Sequence, residues 1–158
     1  MILFHDTFCL FTRANAHEEG GYRQIQAAFS CHLKEFSSFQ SVVFPTVPAN
    51  ANIYFGHPYR FRGDIILVMP IAFEASERGR SGIYVSWGTR VDHHKLYFEK
   101  PFLIYPSSYC RGRTINLPCA GGHIGRDGRL VLTTHCNIRS RMDKEMKATL
   151  KPVESFEI

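Results

Sequence analysis

The chain lacks the signatures of several large protein classes. Its longest apolar run, Ile65 to Phe73, is broken by Pro70 and falls well short of the ~18–20 residues that a membrane helix needs. His5 and Asp6 interrupt the apolar first ten residues, and neither a basic stretch nor a small-residue cleavage site flanks them. No leader and no membrane insertion are expected. Five cysteines (Cys9, Cys31, Cys110, Cys119, Cys136) are an odd number at irregular spacing, unlike the even framework of a disulfide-stapled domain. Reduced thiols and a cytoplasmic setting are the expectation. Internal repeats, low-complexity tracts and linkers are absent too, which predicts one continuous domain over residues 1–158.

What is present is an ordinary globular composition. Of the 158 residues, 44% are apolar and 21% charged, far from the composition of disordered chains. A compact monomer of this mass would expose ~8,100 Å² of the ~26,000 Å² its extended chain exposes, burying about 69%. A full core therefore needs no staple. The net charge of +5 permits an acidic partner without requiring one.

Apolar periodicity reads as strand almost throughout. Thr7 to Thr12 is β-branched and aromatic, and Tyr59-Arg60-Phe61-Arg62 and Ile83-Tyr84-Val85-Ser86-Trp87 alternate. Ile65 to Met69 is a short buried run. Tyr22 to Cys31 is ambiguous, since Tyr22, Gln24 and Gln26 share strand parity while Ile25, Ala28, Phe29 and His32 follow a helical spacing. Short helical segments are expected in the loops, near Glu35 to Phe39. Asp127-Gly128 marks a tight turn, and Pro152 an edge or a bulge. About eight strands at this turn spacing suggest a sandwich or barrel. The gaps are too short for the crossover helices of a parallel sheet.

The order of these segments carries a resemblance. Tyr59, Arg62, Gly63, Asp64 and Ile65 match an aromatic-basic segment that opens a long strand. Ser81, Gly82, Ile83, Trp87 and Gly88 match the turn and strand that follow it. Thr114 to Pro118 is a strand ending at proline, Gly128 to Leu132 opens another, and Leu150 to Phe156 closes on an aromatic. In this order they resemble the capsid proteins of picornavirus-like icosahedral RNA viruses. The resemblance implies a mainly β, eight-stranded antiparallel jelly-roll β-sandwich, with strands near 3–13, 22–31, 60–73, 82–88, 95–104, 113–118, 129–137 and 146–157. It implies a structural subunit rather than an enzyme, without cofactor or metal. Its partners would be other capsid subunits and viral RNA, in the virion and, during assembly, the host cytoplasm. A lectin-like or accessory β-sandwich binding module is the alternative.

Chemical motifs are fragmentary. His135-Cys136 resembles the histidine segment of chymotrypsin-like proteases, but no Gly-Asp-Ser-Gly follows, and one member does not make a triad. Cys110, Cys119, His123, His135 and Cys136 do not have the paired short spacing of structural zinc sites. Gly121 to Gly125 lacks the lysine of a phosphate loop and reads as a surface connection. Arg62-Gly63-Asp64 is the tripeptide of integrin ligands, but it runs straight into an apolar strand, where display on a loop tip is not expected.

The charge excess is local. Residues 111–147 carry eight basic side chains against three acids, while the other segments nearly cancel. Arg111, Arg113, Arg126, Arg129, Arg139 and Arg141 form the candidate basic patch, facing either RNA or a neighbouring subunit. Without an Arg-rich tail, strong counterion-release binding to RNA is not expected.

Overall fold

A strand as uniformly apolar as Ile65 to Ile71 is stable only where both of its faces are covered. The computed structural model meets that demand. It describes residues 1–15, 22–61, 63–73, 81–92, 95–106, 114–118, 123–131, 133–139 and 149–152; for 90, 92, 114–118, 123–124, 133–139 and 149–152 only the backbone is described.

Among the described residues, fifteen strands follow in chain order: β1 (Ile2–Phe4), β2 (Thr7–Asn15), β3 (Arg23–Ser30), β4 (Gln40–Ser41), β5 (Asn52–Ile53), β6 (His57–Phe61), β7 (Asp64–Ala72), β8 (Gly82–Asp92), β9 (Lys95–Phe98), β10 (Phe102–Pro106), β11 (Thr114–Pro118), β12 (His123–Ile124), β13 (Leu130–Val131), β14 (Thr133–Arg139) and β15 (Thr149–Pro152). Every described pairing is antiparallel and joins strands close in sequence. One sheet runs β1-β2-β3-β4. A second runs β10-β8-β7-β5, with β6 also on β7 and β9 also on β8. β11-β14-β15 and β12-β13 are separate small sheets.

The second sheet is the middle layer. On β7, Ile65, Leu67, Met69 and Ile71 face the first sheet and pack with Phe4, Phe11, Ile25 and Phe29. The alternate residues Ile66 and Val68 face the other way, into a second cluster with Phe61, Ile83, Val85 and Leu130. Strand side chains alternate between faces, so a middle strand has to be apolar at both parities. On β8 the same alternation puts Ile83, Val85 and Trp87 on the second face and Tyr84 on the first, as the sequence predicts.

Both edges of the central β7–β8 pair carry bulges. Ile53 opposes Ile71 and His57 opposes Val68, so residues 54–56 face only 69–70. Pro70 has no N–H to donate, and it sits at this break, its carbonyl accepting the Tyr54 N–H at 3.2 Å. On the other side Phe98 opposes Gly88 and Phe102 opposes Val85, so residues 99–101 face 86–87. There the Glu99 N–H donates to the Trp87 carbonyl at 2.8 Å, and the buried Ser86 hydroxyl donates to the Glu99 carbonyl at 2.6 Å.

Four expectations are corrected. The strand expected over 3–13 turns at His5-Asp6, with His5 at a φ of 48° and Phe4 opposite Thr7. The strand over 60–73 is a hairpin, β6–β7, with Phe61 opposite Asp64. The strand over 95–104 is split by the bulge at 99–101. No helix occurs among the described residues. In the Glu35–Phe39 region the backbone groups have other partners. The Ser30 hydroxyl accepts the N–H groups of His32 and Leu33 at 3.3 and 3.0 Å, Leu33 has a φ of 64°, and Phe29 and Ser37 bond reciprocally. Serine capture of nearby backbone donors competes with helix. The ambiguous segment is strand β3, fixed by eight consecutive pairings with β2 from Phe8↔Ser30 to Asn15↔Arg23.

Candidate functional site

The basic patch is only partly within the described residues. Arg111, Arg113 and Arg141 lie outside them, and Arg139 is placed by backbone alone, opposite Thr114 at one end of the β11–β14 pair. Arg126 and Arg129 share the β12–β13 hairpin, both exposed. The expected Asp127-Gly128 turn shapes it. Gly128 has a φ of 80°, its N–H reaches the Gly125 carbonyl at 3.0 Å, and the Gly125 N–H reaches the Arg129 carbonyl at 2.8 Å. Asp127 then uses one carboxylate oxygen to accept the Arg129 N–H at 3.2 Å and places the other 3.6 Å from the Arg129 guanidinium. An exposed pair of this kind contributes little stability, but it offsets part of the local positive charge. Arg129 therefore stands beside an acid, with Arg126 on the same hairpin.

A second surface is aromatic. Trp87 and Phe102 stack with ring centroids 5.5 Å apart and planes 23° from parallel. Tyr59, Ile104 and Tyr105 join Trp87 as half-buried residues at the rim of the second core cluster. Phe102 and Leu103 are exposed to 42% and 40%. The Trp87 side of this surface was legible in the alternation of β8. The Phe102 side depends on the bulge at 99–101, which decides where β10 resumes its pairing, and nothing in the local sequence reports it.

Between the open edges of the two large sheets lies a cleft of about 250 Å³, lined by Phe29, Val42, Val43, Lys95, Tyr97 and Phe98 among others. Its walls come from β3, β4 and the segment after β4 on one side and from β9 on the other. Sequence periodicity cannot find such a site, because its halves are some fifty residues apart and meet only through sheet packing.

His57 opens β6 with its ring 4.6 Å from that of Phe55. Burial, and secondarily the positive chain amino group, hold its pKa below the ordinary 6.5. Cys9 is a buried thiol whose Sγ lies 3.8 Å from the Thr7 carbonyl oxygen, and Cys31 is an exposed thiol. Among the described residues no three His, Cys, Asp or Glu side chains gather in a form that would hold a metal ion. Cys110 and Cys119 lie outside the described residues, as do His17 to Gly20, His93 and His94. No described helix is long and apolar enough to cross a membrane.

Compared with known proteins, the chain matches no family model, no curated protein and no solved structure. Among the described residues the geometry thus supplies one aromatic surface, one cleft and one basic hairpin.

Proposed function

We propose that the chain is a non-enzymatic coat subunit, building an icosahedral shell around single-stranded RNA with further copies or sister subunits. The observation that carries this reading is the ordered segment from Tyr59 to Gly88: its first motif runs from β6 into β7, in place of one long strand, and its second opens β8. Two antiparallel sheets sharing an apolar core are compatible with it. The finer proposal is a jelly roll, which adds pairings between early and late strands to the local ones described above. Shell contacts need broad surfaces related by symmetry rather than a cleft, and Arg126 with Arg129 would then face RNA or a neighbouring subunit. The test is particle size. Protein expressed alone and with candidate sister subunits is expected to give closed shells in electron micrographs and in sedimentation. A strictly monomeric species under all these conditions would sink the proposal.

The aromatic surface favours a second reading, a β-sandwich binding module. A stacked Trp–Phe pair half open to solvent is a platform for a flat or ring-bearing ligand. Saturable glycan, peptide or nucleotide binding by the monomer, lost in Trp87→Ala, would select this reading over the first.

A further inference from the structure

Among the described residues β9 pairs only with β8, so its outer edge has no partner strand. One hydrogen bond shows which of its backbone groups point outward. Thr89 opposes Tyr97 and Gly88 opposes Phe98, and one rung further the Glu99 N–H donates to the Trp87 carbonyl at 2.8 Å. Hydrogen-bonded and non-bonded pairs alternate along an antiparallel ladder. Tyr97 and Glu99 therefore bond toward β8, whereas Leu96 and Phe98 turn both N–H and C=O away from it. Groups turned outward in this way are a template for a further strand.

Side chains follow the same alternation. Leu96 and Phe98 pack with the first core cluster, while Lys95, Tyr97 and Glu99 stand exposed, Tyr97 to 56%. A lysine on a sheet edge ordinarily keeps other strands away by its charge. Here the segment Lys95-Leu96-Tyr97-Phe98-Glu99 is complementary to itself. Laid antiparallel about Tyr97, Leu96 meets Phe98 of a second copy, and Lys95 meets Glu99 of that copy. The residues that meet at 96 and 98 are those whose backbone groups are turned outward, and the pairs flanking them carry opposite charges. Such a contact is isologous, the same patch on both copies, and closes at two. Beside this edge the cleft between β9 and β4 leaves Val43 exposed to 77%, an apolar surface for a second copy to cover.

We infer that β9 is a self-association edge, on which a second copy of this chain adds its own β9 antiparallel about a two-fold axis at Tyr97. The inference stands apart from the coat reading, because a free binding module would pair through the same edge. A dimer that never closes into shells removes the coat reading and leaves this one intact. Sedimentation of the full chain at rising concentration is expected to show a monomer–dimer equilibrium that precedes any larger species. Lys95→Glu and Glu99→Lys should each raise the dissociation constant by about tenfold, since two opposite-charge pairs become two like-charge pairs. An equimolar mixture of these two variants should recover wild-type association, because each supplies the charge that the other lacks. Misfolding of either variant would not produce that recovery. Tyr97→Cys reads the register. The axis sets the two introduced thiols in a directly opposed non-bonded pair, within reach of a disulfide under mild oxidation. Mass spectrometry of the covalent dimer should find the copies joined at position 97. A wild-type chain that stays monomeric at every concentration, a mixture that associates no better than its components, or covalent dimers joined only at other positions would each overturn the inference.

Discussion

At the scale of single residues, close approaches decide what each position tolerates. Gly88 lies under the Phe98 ring, and an added Cβ would come 2.5 Å from Phe98 Cε1 and 2.9 Å from Cζ. That ring has little room to yield, since it packs against Phe44 at 5.4 Å and edge-on to Phe11 at 6.1 Å between centroids. Gly88→Ala is expected to lower stability by about 1–3 kcal/mol, as overpacked cores do, measured by urea unfolding. Ser86 is fully buried and its hydroxyl satisfies the Glu99 carbonyl at the bulge. Ser86→Ala should cost about 1–2 kcal/mol by losing that bond. His57 sets a pH dependence. Its pKa is lower in the folded chain than the ordinary 6.5, so between those two values the unfolded chain binds more protons. The stability tied to this imidazole is therefore present above 6.5 and lost as pH falls from 6.5 through the folded value. Urea midpoints plotted against pH should fall on the acid side of 6.5 more steeply in the wild type than in His57→Gln.

At the scale of elements, β7 organises the molecule because it serves two cores at once. Leu67 is fully buried at the centre of the first cluster, and Leu67→Ala should cost about 2–5 kcal/mol, the range for a cavity in a core that cannot fully collapse. Leu103, on the edge strand β10 and 40% exposed, provides the contrast, and Leu103→Ala should stay within about 0.5 kcal/mol of wild type. Equal losses at the two positions in urea unfolding would contradict the layered arrangement. Elements also show where local sequence was and was not enough. The apolar run of β7, the alternation of β8 and the Asp127-Gly128 turn were each readable, because a strand's burial pattern and a glycine turn are written in a few adjacent residues. The divisions of the longer strands were harder to read. His5-Asp6 has no glycine to announce the turn between β1 and β2, and the bulges at 54–56 and 99–101 exist only by reference to the strand opposite. Helix near Glu35 failed because Ser30 and Ser37, polar residues on either side of it, hold the backbone in another path.

At the scale of the whole molecule, the middle sheet has one face against the β1–β4 sheet and the other against Leu130 from the β12–β13 hairpin. Among the described residues, the aromatic rim at Trp87 and Phe102 and the cleft between β4 and β9 are openings of the layered core. The two functional readings use the molecule differently. A coat subunit buries such openings against its neighbours, whereas a binding module keeps them for a ligand. Trp87→Ala should therefore reduce particle yield without changing the monomer's ligand-free state under the first reading, and abolish saturable binding by the monomer under the second. Sedimentation and ligand titration on the same preparations separate them.

Composition and periodicity alone settled that this is a mainly β chain with a short buried run at Ile65 to Met69, for those properties depend on neighbours in sequence. They also located the charge excess in residues 111–147. Tertiary structure decided which strands share a sheet, that Pro70 sits at a bulge rather than ending its strand, that Asp127 lies against Arg129, and that Gly63 forms a hairpin tip. Each of these depends on what stands opposite a residue across a sheet, which spacing along the chain does not contain.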